Sequence, residues 1–347
     1  MPISLAVVGA GYWGPNLARN AMALEEIRLK WVCDLDLERA RGVVGDQTSV
    51  RVTADLDEVL SDESVEALAI ATPPATHAEL ALRCIEAGRH VLVEKPLAYS
   101  CAVGAQIVEA AKQQGVVLQC DHTFCYTPAV QRIHDMVRRG ELGTLHYYDS
   151  VRINLGLVQA DADVFWDLAP HDISILDHVL GSARHPTTVM AQGADPLGVG
   201  HPCLGYVSLT FDDGLLAHFH VSWLSPRKVR TTILGGSRRM VVWNDLLPSQ
   251  RLSVFDSGVV LAEGDMSVGE KRQRQISYRV GDMYAPALQE VEALRLVLQE
   301  FASAIRAGRA PMTDGDSGLR LLRVIEAIQA SVRAGGAPVT LSLAAPA

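Results

Sequence analysis

Three stretches of the chain combine residue types and spacings that chemistry can use. The first is Gly9-Ala10-Gly11-Tyr12-Trp13-Gly14, set between the apolar run Ser4-Leu5-Ala6-Val7-Val8 and the helix-like Pro15-Asn16-Leu17-Ala18-Arg19-Asn20. Gly9 permits a tight turn, Gly11 lets backbone approach a pyrophosphate, and Gly14 lets the helix pack closely on the strand. The helix N-terminus then offers unpaired N–H groups and partial positive charge to the phosphates. A second apolar run, Leu29-Lys30-Trp31-Val32-Cys33, ends in Asp34, twenty positions after Gly14 (34 − 14). A carboxylate there accepts hydrogen bonds from both ribose hydroxyls and repels a 2′-phosphate. Asp34-Leu35-Asp36-Leu37 contains no cation, so the pattern favours NAD over NADP.

The second stretch is Glu94-Lys95-Pro96, directly after the strand-like His90-Val91-Leu92-Val93. A residue before proline is biased to extended backbone, which holds Lys95 outward from the strand end. The third is Phe165-Trp166-Asp167-Leu168-Ala169-Pro170-His171-Asp172-Ile173. Asp167 is the expected N-cap, Pro170 falls in the first turn, and a helix runs on to Gly181. Asp167 and His171 are four apart, so their side chains approach each other near the helix start. The positive helix end disfavours imidazolium while the nearby carboxylate favours it, which suits His171 to both take and give a proton near neutral pH. His122-Thr123-Phe124-Cys125-Tyr126 either walls a substrate pocket or packs an interface.

The elements that must position these residues follow a βα rhythm. Strand-like segments at Ala67–Ala71, His90–Val93 and Val116–Cys120 alternate with helical ones at Asp55–Leu60, Thr76–Ala87 and Val103–Gln113. That rhythm predicts a doubly wound parallel sheet of the Rossmann type over residues 1–121. Ligands bind beyond the carboxyl ends of such strands, which places Thr72, Pro73, His77, Glu94 and Lys95 with Tyr12, Trp13 and the glycines at a cofactor site. Residues 122–347 change character. After a helix from Pro128 to Arg139, strand-like runs separated by short turns predict a large, mostly antiparallel open sheet in an α/β domain. Helices are expected from about Pro286 to Ala307 and from Ser317 to Ala334. A broad open sheet needs a covered face, so self-association to a dimer or tetramer is expected.

At 347 residues the chain is long enough for two domains. A net charge of −9 without a basic stripe argues against nucleic acid and anionic membrane as partners. Six cysteines without C-x-x-C or zinc spacing read as reduced, buried thiols of a cytoplasmic protein. There is neither a signal-peptide pattern nor an apolar run of transmembrane length, so a soluble, intracellular protein is expected. A metal site from His171, Asp172 and His178 lacks both ligand geometry and an independent partner, and none is expected.

Taken together, the glycine fingerprint, Glu94-Lys95-Pro96, His122-Thr123-Phe124 and Trp166-Asp167-Leu168-Ala169-Pro170-His171-Asp172 resemble the Gfo/Idh/MocA oxidoreductases. The likeness is closest to sugar and nucleotide-sugar dehydrogenases and spans nearly the whole chain. It implies hydride transfer between nicotinamide and a secondary alcohol or ketone carbon, with Lys95, Asp167 and His171 at the reacting carbinol. The sequence departs from the family pattern at Asp121, where relatives often have Gly, and at Ala293, which follows Glu292 where E-P-L is common. Both departures bear on substrate identity.

Reference acidities divide the roles. An unperturbed His near 6.5 is about three-quarters neutral at pH 7, whereas a Lys near 10.4 has about 0.04% neutral amine. His171 is therefore the expected acid/base, with Lys95 a cation that stabilises the alkoxide-like oxygen. Swapped roles are the alternative, since burial beside an oxidised nicotinamide would depress Lys95. Asp167 would orient His171 or bond a neighbouring hydroxyl, and His122, Tyr126, Arg152 and Asn154 are candidate substrate contacts. The resemblance suggests a nucleotide-activated hexose oxidised or reduced at C3. The alternatives are a cyclitol or free sugar, an NAD-binding regulator without turnover, or a hydrolase or isomerase that recycles held NAD.

Overall fold

The computed structural model describes residues 1–159, 162–261 and 276–341. The first half alternates strand and helix: β1 (Ile3–Val8), α1 (Gly14–Met22), β2 (Ile27–Cys33), α2 (Leu37–Val44), β3 (Arg51–Thr53), α3 (Leu56–Ser61), β4 (Ala67–Ile70), α4 (His77–Glu86), β5 (His90–Glu94), α5 (Cys101–Gln114) and β6 (Leu118–Asp121). Buried on both faces, the central strands read as nearly unbroken apolar runs, as in Leu5-Ala6-Val7 and all of β4. The six strands pair in parallel in the order β3-β2-β1-β4-β5-β6. The chain winds outward one way through β2 and β3, then the other way through β4, β5 and β6. The strand order therefore reverses between β1 and β4, which is where a doubly wound sheet opens a crevice beyond its carboxyl ends. The expected Rossmann sheet is present. The short α2 and β3 were not anticipated, because neither is long enough to show a clear period.

The remainder comprises α6 (Pro128–Arg138), β7 (Leu145–Leu155), α7 (Val164–Leu180), β8 (Thr188–Ala194), β9 (Leu204–Thr210), β10 (Leu216–Ser222), β11 (Leu224–Gly236), β12 (Met240–Asn244), β13 (Leu252–Leu261), β14 (Ile276–Tyr284), α8 (Ala293–Ala307), α9 (Gly315–Arg333) and β15 (Val339–Thr340). Nine strands form one sheet in the order β14-β13-β12-β11-β7-β10-β9-β8-β15. Every pair is antiparallel except β7 with β10, so the open, mostly antiparallel sheet is also present. Alternation sets its faces. Gly205, Val207 and Leu209 of β9 are buried, whereas Tyr206 between them is exposed, as are Met190, Leu216, Tyr278 and Val280. On the buried face the Phe165 ring of α7 lies against Gly205, where a Cβ would come within 2.1 Å of it.

Packing gathers the chain into two compact units. One combines Met1–Thr127 with Glu290–Glu326, and the other Pro128–Gln289 with the described residues from Ala327 onward. In the first unit Leu294, Val297, Leu298 and Phe301 of α8 share a core with Leu17, Ala18 and Ala21 of α1. The helix expected from Pro286 starts only at Ala293, after an extended Glu292. The Glu292 carboxylate is taken by Arg19 (2.6 and 3.0 Å) and by Asn20 (3.0 Å), which pins this turn to α1. Among the described residues no helix is long and apolar enough to cross a membrane.

Candidate active site

In the first unit the glycine fingerprint behaves as its spacing predicts. Gly9 has φ +98°, and a Cβ there would lie 2.7 Å from the Ala71 carbonyl. A Cβ on Gly14 would lie 1.9 Å from the Gly9 carbonyl oxygen, so only glycine lets α1 start this close to β1. Above Gly11 the space is open. A cavity of about 990 Å³ lies at the switch point, lined among others by Gly9, Gly11, Trp13, Asp34, Thr72 and Lys95. Tyr12, Pro73, His77 and Glu94 line it as well.

Asp34 closes the far wall of this cavity. Its Oδ2 accepts from Ala10 N at 2.5 Å and its Oδ1 from Asp36 N at 2.8 Å, and each oxygen keeps a further lone pair for a ribose hydroxyl. Open space over Gly11, the α1 N-terminus and a carboxylate at the end of β2 fit a dinucleotide. One neighbour was missed from sequence. Asp36 caps α2, accepting from Glu38 N and Arg39 N, and this first turn swings Arg39 back until Nη1 is 3.9 Å from Asp34 Oδ1. Arg39 also lines the cavity. A search for cations immediately after Asp34 overlooks it, because the α2 turn brings it back.

His77 turns both ring nitrogens to backbone, Nδ1 to Pro96 O at 2.8 Å and Nε2 to Thr72 O at 2.9 Å. Burial pushes its pKa below the ordinary value, against the pull of the two carbonyls. The residue thus bridges the loops after β4 and β5. Lys95 follows β5, is half-buried, and precedes Pro96 through a cis peptide. Its backbone N donates to Glu94 Oε2 at 3.0 Å.

The second unit holds Asp167 and His171 on α7, with one correction. The N-cap is Asp163, whose Oδ1 accepts from Phe165 N at 2.9 Å and Trp166 N at 3.0 Å. The helix therefore begins a turn earlier than expected, and Pro170 lies inside it. Asp167, released from capping, accepts from Trp223 Nε1 at 2.9 Å. His171 remains one turn further along the same face, but it now sits beyond the first turn, where the dipole's effect fades. Trp223 in turn meets the His201 ring edge-on, with centroids 6.1 Å apart. No local spacing announced Trp223 or His201, because both come from strand-end segments distant in sequence from α7.

The substrate candidates fare unequally. Arg152 is buried in an ion pair with Asp172, Nε to Oδ2 at 2.8 Å and Nη2 to Oδ1 at 3.0 Å, so its guanidinium braces β7 against α7. Tyr126 lies in the first unit's core, its hydroxyl bonded to Thr313 Oγ1 at 2.9 Å and to Gln119 Nε2 at 3.1 Å. Both side chains are buried in these networks. His122 is likewise buried. Asn154, near the end of β7, stays half-buried beside Gly156 and Trp223. All six cysteines are free and buried, and burial pushes Cys33 up to about 11 and Cys84 and Cys101 to about 12, which removes these three as nucleophiles.

A parallel doubly wound sheet with this cavity at its switch point defines the class of dinucleotide-binding proteins. Comparison with known families narrows the class. The model of an oxidoreductase family with an NAD-binding Rossmann fold matches residues 3–122, and that of the GFO/IDH/MocA C-terminal domain matches residues 130–241. The chain belongs to the Gfo/Idh/MocA family, and it is an oxidoreductase with an NAD-binding Rossmann domain. It is similar to scyllo-inositol 2-dehydrogenase (NAD(+)) of Bacillus subtilis, 26% identical with 92% of this chain and 91% of the other covered. It is equally similar to UDP-N-acetylglucosamine 3-dehydrogenase of Acidithiobacillus ferrooxidans, 26% identical over 94% of this chain and 96% of the other. Among solved structures, GenD2 from gentamicin A biosynthesis in complex with NAD superposes with a TM-score of 0.80 at 26% identity, covering 98% of this chain and 97% of that one.

Proposed function

We propose that this protein transfers hydride between NAD and a secondary alcohol carbon of a sugar, first among them a nucleotide-activated hexose at C3. What carries the reading is the α7 pair. Asp167 and His171 lie one turn apart on a helix, and Asp167 is held by Trp223. A carboxylate with one oxygen already fixed is suited to orient an imidazole or a hydroxyl rather than to act as a nucleophile. Relatives acting on UDP-N-acetylglucosamine and on scyllo-inositol support a polyol substrate, and the cyclitol is the second reading.

NAD, when bound, accepts or returns the hydride; Gly9, Gly11, Tyr12, Trp13, Gly14, Asp34, Thr72, Pro73 and Glu94 would hold it. His171 takes the hydroxyl proton on oxidation and returns it on reduction. Lys95 stabilises the oxygen as it gains alkoxide character. Asn154 is retained as a substrate contact. Self-association through the exposed sheet face that carries Met190, Tyr206 and Leu216 accompanies this reading.

The test is a screen of free sugars, cyclitols and UDP- or dTDP-sugars, following nicotinamide absorbance with NAD and with NADP separately. Net NADH from a sugar or cyclitol supports the reading. Turnover of a glycoside without net NADH would instead indicate internal recycling of the cofactor.

A further inference from the structure

The carboxyl ends of β5 and β6 place two acids side by side. Glu94 and Asp121 are register partners on adjacent parallel strands, so their side chains emerge together. Asp121 is 2% exposed and does not line the cavity, yet it touches residues that do. Its Oδ2 accepts from Trp13 Nε1 at 3.3 Å, its Oδ1 accepts from Thr123 Oγ1 at 2.6 Å, and it is hydrogen-bonded to the Glu94 carboxyl. Glu94 in turn accepts from Lys95 N at 3.0 Å.

The buried Asp121 and the half-buried Glu94, in contact, hold a proton between them, since like charges this close disfavour double ionisation. Burial pushes both carboxyls above the usual range. Asp121 accepts from both Trp13 and Thr123, so the charge the pair keeps is held there. Trp13 and Thr123 donate to Asp121, and the proton shared with Glu94 is the third hydrogen bond it takes part in. A buried carboxylate is costly to leave unsatisfied, so these three partners are held firmly. Two of them, Trp13 and Glu94, belong to the cavity wall, one on the glycine-rich turn and one beside Lys95.

We propose that Asp121 is a positioning residue for dinucleotide binding, a buried carboxyl that fixes Trp13 and Glu94 in the geometry NAD meets. It acts through those two residues and does not itself face the cavity. The proposal builds on the cofactor site and is independent of which sugar the enzyme uses.

A double-mutant cycle on NAD affinity tests it, read by isothermal titration calorimetry on the full chain with melting temperature as a folding control. Trp13→Phe keeps an aromatic ring but deletes the donor and trims the fused ring, while Asp121→Asn removes the carboxylate. Each single variant is expected to raise the NAD Kd about tenfold, a change of about 1.4 kcal/mol. The double variant should be little worse than either single one, because the two residues act as a unit. The emission of Trp13, isolated as the difference between wild type and Trp13→Phe, should also shift when Asp121 becomes Asn. Additive losses in the cycle, or a Trp13→Phe Kd within twofold of wild type, would overturn the proposal. A Trp13→Phe Kd within twofold of wild type overturns the proposal even if Asp121→Asn does not fold.

Discussion

Trp223 Nε1 donates to Asp167 Oδ2 at 2.9 Å, joining the residue that follows β10 to the helix that carries His171. The bond spans 56 positions of sequence and fixes one oxygen of the carboxylate. Hydrogen bonds to a charged group contribute about 1.5–3 kcal/mol. Trp223→Phe is therefore expected to lower kcat by roughly 10- to 100-fold, with NAD affinity unchanged because the cofactor residues lie in the other unit. Steady-state kinetics with calorimetric NAD binding checks this. A kcat within twofold of wild type would show that Asp167 needs no anchor.

Cofactor choice rests on Asp34, with Arg39 beside it. Removing the carboxylate deletes the repulsion toward a 2′-phosphate and leaves the guanidinium, now 3.9 Å from Asp34 Oδ1, to pair with that phosphate. Asp34→Ser should shift the ratio of NADP to NAD affinity by about tenfold or more toward NADP. An unchanged ratio would mean that Arg39 does not reach the adenosine ribose.

Glu94 makes a pH-dependent contribution whose sign is set by its raised pKa. A carboxyl that binds its proton more tightly when folded makes folding progressively less favourable as pH climbs above its ordinary value of 4.5. The loss ends where pH passes the folded-state value. Glu94→Gln keeps a donor toward Asp121 but carries no titrating proton. Its Tm should match wild type below the ordinary carboxylate range and exceed it above that range. Thermal melts across that range decide it, and two parallel curves would refute it.

Local causes were legible in the sequence, and distant ones were not. Gly9 and Gly14 could be assigned because a tight turn and a close helix–strand approach leave a backbone signature within six residues. The α7 start was misplaced by one turn because Asp163 and Asp167 are both good caps, and only packing decides between them. Here Gln329 also bonds Asp163, at 2.7 Å, from α9. Sequence does not show that Arg152 is paired with Asp172, or that the Tyr126 hydroxyl is bonded to Thr313. Trp223 was invisible for the same reason. The start of α8 was read too early, since nothing local reveals that Glu292 is taken by Arg19.

The assignment of His171 as the proton-transfer group is tested most directly by kcat/KM against pH for His171→Ala beside wild type. With the acid/base gone, kcat/KM should fall by about a hundredfold or more, and the limb near neutrality should vanish from the profile. A variant that keeps that limb would contradict the assignment and move proton transfer to Lys95.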